Sequence, residues 1–221
     1  MTPTLPMFPL NAVLFPGVSV PLRVFEDRYR ALIEHLLEIE DPVDRVFGTV
    51  GIREGYEVGD HGAQSLFRVG VRVRVNEIEA RPDGSYDIVA VALDRLELDR
   101  LDTSGDFPVG EVRELPEATD GVSEEVLEQA RATFTAYRAM LADLGLDPQV
   151  GPLPRDATYL SWTLAAAAPL PMPQRQELLE AADAAERLVL VTDLLREELR
   201  AMNVIASLPA TEVARTRWSP N

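Results

Sequence analysis

Leu5-Pro-Met-Phe-Pro-Leu-Asn-Ala-Val-Leu-Phe-Pro-Gly-Val-Ser-Val-Pro-Leu-Arg-Val-Phe-Glu-Asp-Arg-Tyr-Arg30 runs through turn, strand and helix in quick succession. Pro16-Gly17 stands between two apolar runs and suits a type II turn, because proline presets φ at the second position and glycine accepts φ > 0 at the third. Val18, Val20, Leu22 and Val24 then alternate with smaller or polar residues, the period of a half-buried strand. Beyond them the spacing becomes helical. Tyr29, Leu32, Ile33, Leu36 and Leu37 fall on one helical face, and Glu26 and Asp27 lie where a helix N-terminus favours negative charge.

Working outward, Glu40-Asp-Pro-Val-Asp44 breaks this helix and Arg45 to Ile52 reads as a strand. Glu54 to Ser65 is a polar, glycine-rich loop. Leu66 to Ile78 sets Val69, Val71, Val73 and Val75 on one face and Arg68, Arg72 and Arg74 on the other, apolar in and charged out. Arg81-Pro-Asp-Gly-Ser85 is a turn, Tyr86 to Leu98 returns as a second long strand, and Val109 to Leu115 supplies one more. Several strands with one short helix predict a small closed or nearly closed β-barrel rather than a βαβ sheet.

After Leu115-Pro-Glu-Ala-Thr-Asp-Gly121 the texture becomes helical. Ser123 is a candidate N-cap for a helix whose Leu127, Ala130, Phe134, Tyr137, Leu141 and Leu144 recur at 3 and 4 spacing until Gly145. A proline-rich link leads to a helix capped by Asp156 and stopped at Pro169, in which Tyr159 and Trp162 read as core. A short helix with Leu178 and Leu179 follows. Asp183 and Glu186 have capping-box spacing and open a last helix carrying Leu188, Val191, Leu195, Met202 and Ile205. Residues 1–117 are thus expected to form the barrel and 118–221 a helical subdomain, with Arg215 to Asn221 a loose tail.

The pattern Leu5-Pro-x-Phe-Pro-Leu10, then Val13-Leu-Phe-Pro-Gly17, then Pro21-Leu-x-Val-Phe-Glu-x-Arg-Tyr29 resembles the N-terminal substrate-binding domain of the ATP-dependent protease Lon. It resembles most of all the free-standing bacterial proteins built from that domain alone. Asp27 stands where those proteins commonly have proline, and both residues suit a first helical turn. The segment Ala168 to Glu180 and the Ala-Ala-Glu-Arg-Leu that follows resemble the helical subdomain of the same region, so the likeness runs roughly from Leu5 to Leu208. It implies an α+β fold, a PUA-like β-barrel followed by a C-terminal helical subdomain, that binds unfolded or tagged polypeptide and presents it to a protease or chaperone.

Composition narrows the function classes. The 221 residues are 46% hydrophobic, enough for a real core. No apolar run approaches the roughly 20 residues that span a bilayer, and no signal-peptide pattern opens the chain, so a cytoplasmic setting and no membrane partner are expected. The absence of cysteine excludes disulfides and thiolate metal sites. All 21 basic residues are arginine, and the missing lysine removes the P-loop, Schiff-base and Ser-Lys chemistries. The complete Lon protease needs a P-loop ATPase and a Ser-Lys dyad, and this sequence can carry neither. A net charge of -16 opposes nucleic acid at long range.

Few residues point to chemistry. His35 reads as a helix-border residue. His61, with Asp60 and Glu57, offers one nitrogen ligand where zinc sites use several, so no metal and no cofactor are expected, and a hydrolase built on His61 and Asp60 has little to stand on. The glycines match no dinucleotide fingerprint, and no Gly-x-Ser-x-Gly elbow occurs. No catalytic residue is assigned. Phe15, beside the turn, fits either the core or an exposed barrel rim, and with Tyr56 it forms the candidate peptide-contact pair. Arg68, Arg72 and Arg74 are the alternative, a nucleic-acid face, set against a solvated face paired with Glu77, Glu79 or cross-strand acids.

Overall fold

The computed structural model describes residues 3–53, 66–118, 121–146 and 151–204. Their packing divides into two compact units, Met1–Pro116 and Glu117–Ser219.

The first unit opens with β1 (Thr4–Pro6), followed by β2 (Ser19–Val24), α1 (Asp27–Leu37), one 3-10 turn (Pro42–Asp44), β3 (Val46–Ile52), β4 (Leu66–Ala80), β5 (Tyr86–Asp102) and β6 (Val109–Leu115). The turn ahead of β2 has the expected form. The Val18 N–H donates to the Phe15 carbonyl at 3.1 Å, and Gly17 holds φ +83° at the position where a side chain would be strained. The Arg81–Ser85 turn joins β4 to β5, with the Gly84 N–H donating to the Arg81 carbonyl at 3.0 Å.

All strand pairings are antiparallel, in the order β1-β6-β5-β4-β3, and β2 pairs with β5 away from that path. β5 is long enough to serve two neighbours on one side. Its first half pairs with β2, from Ser19 opposite Val91 to Val24 opposite Tyr86. Its second half pairs with β6, from Arg95 opposite Leu115 to Asp102 opposite Val109. β1 was not legible as a strand, and it matters for closure. Past Pro6 the chain leaves β6 and runs beside β3, where the Phe8 and Leu10 N–H groups donate to the Gly48 and Val50 carbonyls at 2.8 and 3.0 Å. Residues 4–10 therefore tie one margin of the sheet to the other.

The interior follows from the alternation. Val20, Leu22 and Val24 of β2, Val71, Val73 and Val75 of β4, and Ile88, Ala90 and Ala92 of β5 are all buried. Met7 packs with Val50, Ile52, Leu66, Leu96, Leu98 and Val112. On α1, Tyr29, Leu32, Ile33 and Leu36 are buried, and the Phe8 ring stacks on Tyr29 with centroids 4.1 Å apart. Burial pushes the Tyr29 phenol up to about 12. Leu37, expected on the same face, is exposed while Leu36 in the same turn is buried, because at about 100° per residue it stands on the border of the stripe made by Tyr29, Leu32, Ile33 and Leu36. At Gly70, opposite Val50, β3 comes so close that an added Cβ would sit 1.9 Å from the Thr49 carbonyl oxygen. Gly70→Ala should therefore lower stability by about 1 to 3 kcal/mol, the usual cost of overpacking, visible as a lower urea midpoint; an unchanged midpoint would mean the two strands can part freely.

The second unit holds α2 (Glu124–Asp143), α3 (Ala157–Ala167), α4 (Met172–Glu180) and α5 (Ala184–Val204). The caps read from sequence are present: the Ser123 and Asp156 side chains accept from the Val126 and Tyr159 N–H groups, and Asp183 accepts from the Glu186 N–H at 2.8 Å. Glu186 reaches back to the Ala182 N–H rather than to that of the cap itself. Gly145, at φ +73°, ends α2, with the Leu146 N–H donating to the Leu141 carbonyl at 2.8 Å. Ala130, Phe134, Tyr137 and Leu141 are buried along α2. Tyr159 corrects the core reading of α3. It is 67% exposed while Trp162 is buried: the packed face of α3 is made by Leu160, Ser161, Leu164 and Ala165 with Trp162 at its edge, and Tyr159, about 60° further round the helix, falls on the solvent side.

One side chain organises this unit. Arg187 of α5 is fully buried and stacks on the Trp162 ring, its guanidinium carbon 3.2 Å from the centroid. It donates to both Glu117 carboxylate oxygens at 2.9 and 3.1 Å, to Ser161 Oγ at 2.8 Å, and to the Leu178 and Ala181 carbonyls at 3.0 and 3.4 Å. The fork thus holds α3, the end of α4 and the segment before α2 together.

Candidate functional site

The first halves of β5 and β2, with the far end of β4, make a three-stranded face whose outward side chains follow from register. Pro21 stands opposite Val89 and Val89 opposite Glu77; Arg23 stands opposite Asp87 and Asp87 opposite Glu79. Residues directly opposite share a face, so these form two parallel rows. Between them lies an open groove of about 410 Å³, apolar at Pro21 and Val89 and charged at Arg23, Glu77, Glu79 and Asp87. Arg81 is hydrogen-bonded to Asp87, which holds its guanidinium above the ordinary arginine value. Arg23 reaches Asp83 at 2.9 Å, and the Ser85 hydroxyl and N–H on Asp83 hold that carboxyl below its usual range.

Beside the groove runs a strand margin. Among the described residues β2 pairs with β5 alone. The Ala92 N–H donates to the Val18 carbonyl at 3.0 Å; counting on by twos, Val20, Leu22 and Val24 direct their backbone groups to β5, and Ser19, Pro21 and Arg23 direct theirs outward. Proline at the centre of that margin removes a donor, the usual device against edge pairing. Side chains on the face, rather than backbone on the margin, are the available recognition elements.

Phe15 does not belong to the surface. Its exposure is 0%, because the Pro16-Gly17 turn folds the preceding residue inward, and a buried ring cannot touch a polypeptide without local opening. Tyr56, and His61 with Asp60 and Glu57, lie outside the described residues. His35 is exposed on α1 with its ring 5.1 Å from that of Phe107, a border position as expected.

The arginine face is largely neutralised. Arg72 pairs with Asp94 at 2.5 Å; Arg68 reaches Asp99 at 3.2 Å and Glu97 at 3.5 Å, and Arg113 holds the same two acids. The Arg113 hydrogen bond keeps the Asp99 carboxyl below its usual range. Arg74 donates to Asn76 Oδ1 at 3.3 Å. Among the described residues the acid partners of Arg68 and Arg72 come from β5, the strand paired with β4, as the solvated-face reading requires, and not from Glu77 or Glu79. Among the described residues no group of three or more His, Asp or Glu could hold a metal ion. None of their helices is long and apolar enough to cross a membrane.

Sequence reasoning missed Pro21, Glu77 and Val89 as a set. Each is legible as an outward residue of its own strand, but the register that joins strands so distant in sequence is not.

Curated relatives are full Lon proteases. Lon protease 2 of Myxococcus xanthus is 29% identical over 96% of this chain, but the match covers 26% of the relative. The Lon protease of Phenylobacterium zucineum is 27% identical, again over 96% of the chain and 26% of the relative. The chain thus spans about a quarter of the length of these relatives. Among solved structures, a Lon N-terminal domain protein from Xanthomonas campestris is similar with a TM-score of 0.63 and 28% identity, over 88% of this chain and 98% of that one. The N-terminal domain of Mycobacterium avium complex Lon protease shares the fold with a TM-score of 0.62 at 20% identity, over 88% and 99%. Residues 4–197 match the model of the ATP-dependent protease La (LON) substrate-binding domain, and the chain belongs to that family.

Proposed function

We propose that this chain is a non-enzymatic recognition module, acting in the cytoplasm, that binds unfolded or tagged polypeptide segments for a protease or chaperone. Its first unit is read as a PUA-like barrel, on the support of the ring of pairings that residues 4–10 complete, and residues 118–221 as the helical subdomain. The observation that carries the reading is the open groove over β2, β5 and β4, apolar at Pro21 and Val89 and charged at Arg23, Glu77, Glu79 and Asp87. An extended chain can lay alternate side chains into such a face, while a folded protein keeps its apolar residues covered. The missing lysine and cysteine support the non-enzymatic part.

The test is a binding titration of a reduced, unfolded polypeptide against its folded form. The unfolded form is expected to bind and the folded form not. Val89→Asp, which puts a charge on the floor, should weaken binding by at least ~1 kcal/mol, about fivefold. Equal binding by Val89→Asp would remove the groove from the site. The nucleic-acid reading through Arg68, Arg72 and Arg74 has less support, because acids already occupy Arg68 and Arg72. It predicts a steep loss of binding with salt, whereas apolar contacts predict little.

A further inference from the structure

The charges lining the groove do not cancel. Arg23 is engaged by Asp83, and Asp87 is engaged by Arg81. Glu79 lies 3.7 Å from Arg81, at the edge of ion-pair distance, and its side chain is 71% exposed. Glu77 is exposed and has no ion-pair partner among the described residues. The uncompensated charge is therefore negative, and it lies along the β4 side of the floor.

Geometry gives that charge a use. Glu77 and Glu79 are two residues apart on one strand face, so their Cα atoms are about 7 Å apart and their carboxylates can close on one cation from two sides. Glu77 stands in the same row as Val89 and Pro21. A side chain laid across this row would meet apolar surface first and carboxylate last. Arginine and lysine have that construction, an aliphatic stem ending in a cation.

Resting on the polypeptide-binding reading, we propose that the groove takes segments in which an arginine or lysine stands beside apolar residues. The stem of the cation lies on Pro21 and Val89, and its head lies between Glu77 and Glu79. Segments bearing aspartate or glutamate at that place are refused, because a carboxylate there would meet the unpaired Glu77 and a Glu79 that shares Arg81 with Asp87. The net charge of -16 acts in the same direction at longer range, drawing basic segments and repelling acidic ones.

Three short labelled peptides share one Leu- and Phe-containing core and differ only in its flanking residue: arginine, glutamine or glutamate. At low salt the arginine peptide is expected to bind roughly five- to tenfold more tightly than the glutamate peptide, with glutamine between, the size of two exposed ion pairs. Glu77→Gln combined with Glu79→Gln should bring the three affinities together, and both positions are exposed, so the fold tolerates the change. Equal affinities in the wild type, with binding still weakened in Val89→Asp, overturn this selectivity and leave the polypeptide-binding reading standing. A preference that survives the double glutamine variant also overturns it, since the charge would then come from elsewhere. Failure of all three peptides and of the unfolded polypeptide to bind overturns the parent reading and this one with it.

Discussion

Arg187→Ala is expected to lower the stability of the helical unit by about 3 to 5 kcal/mol, the cost of removing one partner from a buried ion pair. The change leaves the Glu117 carboxylate, 21% exposed at its side chain, without its fork. It also leaves the Leu178 and Ala181 carbonyls and the Ser161 hydroxyl short of a donor, and the Trp162 ring loses the group stacked on it. Arg187→Lys should recover little, because an ammonium cannot reproduce the planar fork or lie flat on the indole. Arg187→Met combined with Glu117→Gln should cost less than Arg187→Ala alone, since no buried charge is then stranded. The check is denaturant unfolding followed by Trp162 fluorescence in a Trp218→Phe background. A loss under about half a kcal/mol, the range of ordinary surface changes, would show that the hub is dispensable.

Phe134→Ala should cost a similar amount, about 3 to 5 kcal/mol, for a different reason. Phe134 is fully buried on α2 with Ala130, Tyr137 and Leu141, and its removal forfeits burial and leaves a cavity that packed helices close only in part. No charge is involved. The Phe134→Ala loss should therefore be insensitive to salt. Denaturant titration measures both variants. A Phe134→Ala loss under about half a kcal/mol would put that face in solvent.

Local physics made much of the fold legible. The Pro16-Gly17 turn, the alternation of Val20, Leu22 and Val24, and the caps at Ser123, Asp156 and Asp183 depend on neighbours a few residues away, and each stands where the sequence placed it. β4 and β5 run on past their expected ends, to Ala80 and Asp102. There charged residues interrupt the apolar signal while the backbone ladder continues. Leu37 and Tyr159 show the limit of periodicity: it names the centre of a face but not how far round the helix the cover reaches. Phe15 shows another limit, because whether an aromatic beside a turn points in or out depends on what the turn packs against. The groove was least legible of all. Its rows join β2, β4 and β5 by register alone, and no single strand carries the signal. Arg187 could not be singled out either, since one arginine among 21 looks like any other until its partners converge.

The tie made by residues 4–10 has a consequence for the order of events in synthesis. Thr4 and Leu5 pair with Glu111 and Gly110, partners made roughly a hundred residues later. The entropy of closing so long a loop grows only with the logarithm of its length, but the closure cannot begin before β6 exists, and contacts so distant slow folding. Until then Met7, Phe8 and Leu10, all buried at the end, have no complete cover. A nascent chain stopped before Val109 would hold an apolar, extended N-terminal segment in the open, liable to aggregation or capture by chaperones. During its own synthesis the chain thus passes through a form that displays the kind of segment it is proposed to bind.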